Sequence, residues 1–236
     1  MAIHTWNGES WKLQGVVKTQ DLGTVFVRSA TAAWAGGMGG ALLHWNGSAW
    51  NAVVLPTTGQ FAGIFGVPLA STIWGLTNVA TGGPISNEFL VSSDGASWPA
   101  MSNAPPAATY MKMWASGPAA LWAVGWNSRL ALWNGSSWAA HTSPVICNYS
   151  SVWGTGPKDV WAVGSGGTVA HYTGPPSSWT KETVPVTTNL LDVYGTTASD
   201  IWAVGEAGTI LHYDGVRWRS EPSGTTETLW GVWTGY

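Results

Sequence analysis

The chain has 236 residues, of which 45% are hydrophobic and only 9% are charged, and its net charge is −3. Disorder is excluded, because disordered chains are rich in charge and poor in aromatic residues. Lys and Arg are scattered singly, so neither a nucleic-acid surface nor a polybasic membrane patch is expected. No apolar run reaches the roughly 20 residues of a transmembrane helix, which argues against membrane insertion.

The N-terminal residues 1–8 lack the basic and apolar regions of a signal peptide, which leaves export by another route, or prior removal of a signal peptide, as the alternatives. Cys147 is the single cysteine, which excludes an intrachain disulfide and a thiolate metal cluster. We expect it to be a small buried residue.

A unit of about 40 residues recurs along the chain, and a period of this size is typical of four-stranded propeller blades. Each unit contains a first strand with an aromatic residue and a second strand that reads apolar-Trp-small-apolar. A third strand follows, and a Trp begins the fourth strand. The second-strand tryptophans are Trp34, Trp74, Trp122, Trp161 and Trp202, and the fourth-strand tryptophans are Trp11, Trp50, Trp98, Trp138, Trp179 and Trp218.

The repeat predicts an all-β fold, a β-propeller in one domain over residues 1–236, because sheets with two apolar faces can bury both by stacking radially. Five blades are predicted near 21–55, 60–103, 109–142, 148–183 and 189–221. A closing blade would combine 227–236 with 1–14, and it lacks a second strand. We therefore predict six blades closed by the N- and C-termini, with five blades as the alternative.

Two further features of the blades follow from the linkers and turns. The link from each fourth strand to the next first strand is the longest, which predicts that the first strand lies innermost.

Asn-Gly or Asp-Gly joins most third and fourth strands, and these pairs favour a type I′ turn. The turn sequences are Asn7-Gly8, Asn46-Gly47, Asp94-Gly95, Asn134-Gly135, Thr173-Gly174 and Asp214-Gly215.

The pattern Asp159-Val160-Trp161-Ala162-Val163-Gly164, followed by His171-Tyr172, resembles repeats of predicted surface or secreted propeller proteins of myxobacteria and similar bacteria. The segment Leu43-His44-Trp45-Asn46-Gly47 is similar to that of Trp-rich propeller lectins, including tectonin-like proteins. The resemblance to the propeller lectins implies sugar binding between blades or on one rim. Both resemblances favour an extracellular or cell-surface location.

The tandem repeat is tryptophan-rich, and aromatic residues beside the turns are the candidate ligand contacts. A flat ring with short polar neighbours complements a sugar, so a multivalent carbohydrate-binding (lectin-like) protein is the first hypothesis. Its partners would be glycans or glycoconjugates. The alternative role of these aromatics is blade packing, and that of the histidines is a structural hydrogen bond. The candidate residues are Trp6, Trp45, Trp133, Tyr172, Tyr213, His44, His171 and His212.

The sequence leaves two other classes of function open. A protein-interaction scaffold or surface adhesin is the main alternative, with possible protein partners and possible oligomers. An enzyme with an axial site is the weaker one, because the acidic residues form no evident dyad and no phosphate loop or nucleophile elbow is present. Aromatic and aliphatic first-strand residues, such as Phe65, Trp114 and Trp153, predict an apolar axis. We expect no cofactor and no metal.

Overall fold

Short antiparallel strands joined by tight turns make up the computed structural model. It describes residues 2–6, 9–16, 21–67, 70–79, 86–101, 103–105, 108–175 and 179–234. Within these ranges there are 21 strands and three short 3₁₀ turns, and no α-helix is present. Accordingly, none of the described segments is a helix that could cross a membrane.

The strands form six sheets in chain order, and the chain divides into two compact units, Met1–Ala104 and Pro105–Tyr236. The first unit has β1 (Ala2–Trp6) with β2 (Trp11–Val16); then β3 (Leu22–Ser29), β4 (Ala32–Gly37), β5 (Leu42–Trp45) and β6 (Trp50–Ala52); then β7 (Gln60–Gly66), β8 (Ile73–Val79) and β9 (Ser86–Ser92).

The second unit has three four-stranded sheets. They contain β10 (Tyr110–Gly117), β11 (Ala120–Gly125), β12 (Arg129–Trp133) and β13 (Trp138–His141); β14 (Tyr149–Gly156), β15 (Asp159–Gly164), β16 (Thr168–Tyr172) and β17 (Trp179–Lys181); and β18 (Leu190–Thr197), β19 (Asp200–Gly205), β20 (Ile210–Tyr213) and β21 (Trp218–Glu221). The six sheets correspond in order to the six predicted blades. That the whole chain is one domain stays a prediction.

The third sheet lacks the predicted fourth strand at Trp98. Only an isolated bridge between Leu90 and Ala100 remains, flanked by hydrogen bonds from Val91 N to Pro99 O and from Met101 N to Phe89 O. Pro99 has no N–H to donate, and a proline in this place interrupts the ladder. Trp98 is nevertheless buried, like the fourth-strand residues Trp179 and Trp218.

The predicted first strand at 228–236 is not a strand in its described part, 228–234. The Leu229 N–H donates to Gly205 O at 3.0 Å, and the Val232 N–H donates to Asp192 Oδ2 at 3.1 Å. These bonds hold the segment against the β18–β21 sheet. No second strand lies beside it in the described ranges, so it has no ladder partner. We call residues 228–234 the C-terminal segment.

The turns between third and fourth strands are not the predicted type I′ turns, which would need positive φ at both central residues. Positive φ occurs at the glycine, as at Gly47 (94°) and Gly95 (76°), and the preceding Asn or Asp stays outside that region. The side chain of that residue instead accepts backbone hydrogen bonds. Asn46 Oδ1 takes them from Ser48 N and Ala49 N at 3.0 and 2.9 Å. An acceptor side chain thus organises the loop. The turn at residues 7–8 lies outside the described residues.

Three of the second-strand tryptophans, Trp34, Trp122 and Trp161, contact a neighbouring sheet, as predicted. In the second unit, the Trp122 ring lies 4.9 Å from Tyr172 and 5.1 Å from Trp179, both in the next sheet. Trp161 makes the same contacts one sheet further along, and both indoles are at most 1% exposed. In the first unit, the Trp34 Nε1–H donates to Gly95 O at 3.0 Å. A Cβ on Gly95 would collide with that indole, and its φ is positive, so glycine is required there.

The first strands of successive sheets contact each other: β3 lies beside β7 in the first unit, and β10, β14 and β18 lie side by side in the second. They form the inner edge of their sheets, in agreement with the prediction from linker lengths.

We predict that Trp122→Ala destabilises the protein by about 3–5 kcal/mol, since a buried indole leaves a cavity between two sheets. The control is Val54→Ala, because Val54 is 93% exposed; it should change the free energy of unfolding by about 0.5 kcal/mol or less. Urea denaturation of the two variants checks this. Equal losses would contradict the role of Trp122 as an interblade wedge.

Candidate functional site

The predicted aromatic contacts lie at the ends of third strands, each opposite a fourth-strand Trp. Ring centroids are 5.8 Å apart for Trp45 and Trp50 and 5.9 Å apart for Trp133 and Trp138. The pairs Tyr172–Trp179 and Tyr213–Trp218 repeat this arrangement at 5.6 and 5.4 Å. Trp6 opposes Trp11 in the β1–β2 register, and its side chain lies outside the described part of the chain.

These aromatic pairs serve packing in the second unit. Tyr172 is 4% exposed and meets Trp122 of the preceding sheet, and Tyr213 meets Trp161 in the same way. The structure therefore distributes the predicted aromatics over separate sheets and does not gather them around one cavity. Their contact with a ligand stays a prediction.

The predicted histidines lie directly opposite the second-strand tryptophans and stack on them. Ring centroids are 4.7 Å apart for His44 on Trp34, 3.6 Å for His171 on Trp161 and 4.0 Å for His212 on Trp202. The interplanar angles are between 10° and 13°. Stacking of this kind extends the interblade aromatic layer with a polar edge.

Two of these histidines also bond to aspartate, which gives a repeated Asp-Trp-His cluster. Asp159 Oδ1 lies 2.6 Å from His171 Nε2 and accepts the Trp161 Nε1–H at 3.0 Å, and Oδ2 accepts the Thr155 hydroxyl. Asp200 repeats the set with His212 and Trp202, both at 2.9 Å, and with Thr196. The structural hydrogen bond considered for the histidines is thus present at His171 and His212.

The carboxyl groups of both clusters have a lowered pKa. For Asp159, burial works to raise the pKa, but the hydrogen bonds from His171, Thr155 and Trp161 together bring it below its ordinary value. For Asp200, the Thr196 hydroxyl is the main cause of the lowered pKa, opposed by burial and supported by His212. Both aspartates are therefore held ionised within their clusters.

His141, which the repeat does not explain, fills a gap in the β10–β13 sheet. Leu132 stands opposite Trp122, where other sheets have a histidine. The His141 ring contacts Trp122 edge-on at 4.7 Å and Tyr172 at 5.5 Å. Burial lowers the pKa of His141 below its usual value, which favours the neutral imidazole in this aromatic layer.

A polar cluster on the inner first strands of the second unit was not predicted. Lys112 Nζ lies 3.6 Å from Asp192 Oδ1, which also accepts the Ser151 hydroxyl at 2.7 Å. Asp192 Oδ2 accepts the N–H of Val232 in the C-terminal segment. The Lys112 side chain is 44% exposed and that of Asp192 is 16% exposed. We call Lys112, Ser151 and Asp192 the inner-strand cluster, and it corrects the expectation of a wholly apolar axis for this unit.

Beside this cluster the C-terminal segment carries two exposed tryptophans. Trp230 is 78% exposed and Trp233 is 70% exposed, whereas Trp114 and Trp153, which correspond to Trp233 in two other first strands, are each 8% exposed. Exposed indoles in such a position are the feature of this surface that sequence reasoning missed. In the sequence, the one indication of this exposure is that the predicted closing blade lacks a second strand to cover Trp233.

Other parts of the described surface have fewer features that could form a binding site. A shallow open depression of about 740 Å³ is lined by Ala207, Gly208 and residues 221–226, and none of the predicted site residues borders it. Among the described residues, no three His, Cys, Asp or Glu side chains are grouped so as to hold a metal ion.

Comparisons with known proteins define the fold. No protein-family model matches the chain, and no curated protein matches it. A solved structure of YCF48 bound to D1 peptide has a TM-score of 0.67 at 18% identity over 91% of this chain and 72% of that one. YCF48 from Cyanidioschyzon merolae has a TM-score of 0.54 at 13% identity, over 92% of this chain and 89% of that one.

The WD40 repeats of RRP9 have a TM-score of 0.71 at 9% identity, over 87% of this chain and 63% of that one. The fold is that of a β-propeller. The predicted fold class is confirmed, and at these identities the likeness concerns the fold alone. The bacterial and lectin-like resemblances find no match among these neighbours.

The Asp-Trp-His clusters lead to a prediction on acid stability. Because the pKa of Asp159 is lower in the folded chain, its contribution is complete above the unfolded pKa of about 3.9 and is lost as the pH falls through the folded value. Asp159→Asn should therefore cost about 1–3 kcal/mol at pH 7. It should also flatten the loss of stability as the pH falls below about 4.

Chemical denaturation at a series of pH values measures this effect. Glu227→Gln is the control, because Glu227 is an exposed carboxylate outside the clusters. The assignment would be contradicted if Asp159→Asn kept the full acid-dependent loss seen in the unmodified protein.

Proposed function

We propose that this protein is a non-catalytic protein-interaction scaffold that binds a partner polypeptide on the inner face of its second unit. The binding surface consists of the inner-strand cluster and the C-terminal segment. The observation that carries this proposal is the exposure of Trp230 and Trp233 next to the bonded Asp192 carboxylate.

The chemistry of this surface suits a polypeptide. Burial of an indole against a partner is strongly favourable, and tryptophan is enriched among the residues that dominate protein interfaces. The Lys112 ammonium remains partly exposed and can pair with an acidic side chain of the partner. Asp192 is already satisfied by the Ser151 hydroxyl, the Val232 N–H and Lys112, so it fixes the segment that carries the indoles.

The fold neighbours support this class of function. One of the solved YCF48 structures is bound to a peptide, and another neighbour, RRP9, contains WD40 repeats. Propellers host many functions, so the exposed residues of this chain are what favours a protein partner. Glycan binding at Trp45 and Trp133, an extracellular location and oligomer formation stay predictions.

A random-peptide display selection against the purified protein tests the proposal. We expect enriched peptides whose affinity falls at least tenfold for Trp230→Ser and Trp233→Ser, since each change removes an indole that the partner buries. Ile146→Ser is the matched control, because Ile146 is fully exposed on a link between sheets. It should leave the affinity unchanged.

Two outcomes would contradict the proposal. One is a selection that enriches no peptide, and the other is binding that the Trp230 and Trp233 variants retain in full. A glycan array run in parallel addresses the carbohydrate hypothesis. Glycan hits lost in Trp45→Ala and Trp133→Ala, without peptide binding, would favour a lectin instead.

A further inference from the structure

We infer that the β3–β6 sheet binds a carboxylate group from another molecule, at a site formed by Arg28 and His44. The bound carboxylate takes the position that Asp159 and Asp200 occupy with their own side chains in the β14–β17 and β18–β21 sheets. The site lies in the first unit, so it is independent of the peptide-binding surface proposed for the second.

The three sheets share one register around the second-strand Trp. In each of them a third-strand histidine lies directly opposite this Trp and stacks on its ring. The pairs are Trp34 with His44, Trp161 with His171 and Trp202 with His212. Residues at the same distance from the Trp therefore have equivalent places in the three sheets.

The first difference between the sheets is the missing acid. Ala32 stands two residues before Trp34, at the position that Asp159 has in β15. In that sheet Asp159 Oδ1 lies 2.6 Å from His171 Nε2. The alanine side chain offers no acceptor, and the His44 ring has no hydrogen-bond partner among the described residues. The imidazole is thus present without its carboxylate.

The second difference is an added cation. Arg28 stands in β3 at the position that Thr155 has in β14 and Thr196 has in β18. In the second unit these two hydroxyls donate to the cluster aspartates. Arg28 Cζ lies 5.1 Å from the centroid of the Trp34 ring, so a guanidinium with five N–H donors stands beside the Trp–His pair. The donor is therefore kept and gains a positive charge.

The Arg28 side chain has donors to spare. Its Nη2 donates to Ser71 O at 2.7 Å, and its Nε is buried without an acceptor in the described part of the chain. A buried donor without a partner is costly. A carboxylate matches the planar guanidinium through two parallel hydrogen bonds, so an incoming carboxylate would remove this cost.

The charge of the site is positive. Burial, and then the nearby Arg28 charge, lower the pKa of His44, so the imidazole is neutral at pH 7 and the guanidinium carries the charge. No Asp or Glu in the described ranges forms an ion pair with Arg28. Arg28, Ala32 and His44 are all partly exposed, so a ligand can approach from solvent.

Nitrogen-15 NMR of the arginine Nε–H groups tests the site, since the chain has only four arginines. Sodium acetate is titrated against sodium chloride at constant ionic strength, and Arg28→Lys identifies the Arg28 signal. We expect a saturable shift of that signal with acetate and none with chloride, because only the carboxylate can accept two parallel bonds from a guanidinium. Arg217, which is exposed on a turn, is the internal control and should show no saturable shift.

Two variants test the roles of the neighbouring positions. Ala32→Asp supplies a carboxylate from the chain itself, so its Arg28 signal should lie near the acetate-bound position and should no longer respond to acetate. Val54→Asp is the matched control, because it adds the same charge at a residue that is 93% exposed. It should bind acetate normally. His44→Leu should weaken acetate binding about fivefold, through loss of one hydrogen bond.

A pair of blocked peptides distinguishes the source of the carboxylate. Acetyl-Gly-Asp-Gly-amide is compared with acetyl-Gly-Asn-Gly-amide, which lacks the charge. Saturation by the Asp peptide at a lower concentration than acetate would support an acidic side chain of a polypeptide. Saturation by acetate alone would support a small carboxylate molecule.

Three outcomes would overturn the inference. They are equal effects of acetate and chloride, a response of Arg217 that matches that of Arg28, and acetate binding by Ala32→Asp at the level of the unmodified protein. None of them bears on the peptide-binding surface, because the display selection depends on Trp230 and Trp233.

Discussion

The interblade tryptophan is the interaction on which the rest of this structure depends. A four-stranded meander has two apolar faces and cannot cover both by itself, so each sheet needs a neighbour. The second-strand indole provides the contact, since Trp122 and Trp161 each reach an aromatic pair on the next sheet. Edge-to-face and tilted geometries dominate these contacts, as the quadrupoles of aromatic rings favour.

A buried indole also brings an N–H that must be accommodated, and the sheets do this in different ways. Trp34 donates to the carbonyl of Gly95, whereas Trp161 and Trp202 donate to aspartates that also bond to the stacked histidines. In the β10–β13 sheet, Ala120 stands where Asp159 and Asp200 stand, and the described residues offer the Trp122 Nε1–H no acceptor. The second-strand Trp therefore recurs more strictly from sheet to sheet than the group that accepts the hydrogen bond from its N–H.

Much of the fold could be predicted from the sequence because the period, the strand order and the tryptophan spacing are all local signals. The fourth strand at Trp98 was wrongly predicted because Pro99 weakens the ladder there, which the Trp spacing does not reveal. The turn type was also wrong. Asn46 and its equivalents organise the loop by accepting backbone hydrogen bonds, and the Asn-Gly sequence is compatible with either geometry.

The candidate surface was harder to predict. The inner-strand cluster joins Lys112, Ser151 and Asp192 from three different sheets. Each lies two residues before a first-strand aromatic residue, so the repeat marks them as equivalent positions, but the spacing does not show that their side chains meet. The Asp-Trp-His clusters were more accessible. Asp159 lies two residues before Trp161, on the same face of its strand, and His171 lies opposite that Trp. Alternation along a strand combined with the ladder register would have placed the three side chains together.

The lone thiol has a practical consequence. Cys147 lies in the link before β14, is 8% exposed, and its backbone N–H bonds to the Ser128 hydroxyl of the preceding sheet. Burial raises the pKa of this thiol above its ordinary value, so very little thiolate is available to an alkylating reagent. Modification therefore requires that the link detach from its neighbour. The rate of alkylation therefore reports how often this link opens, without any introduced probe.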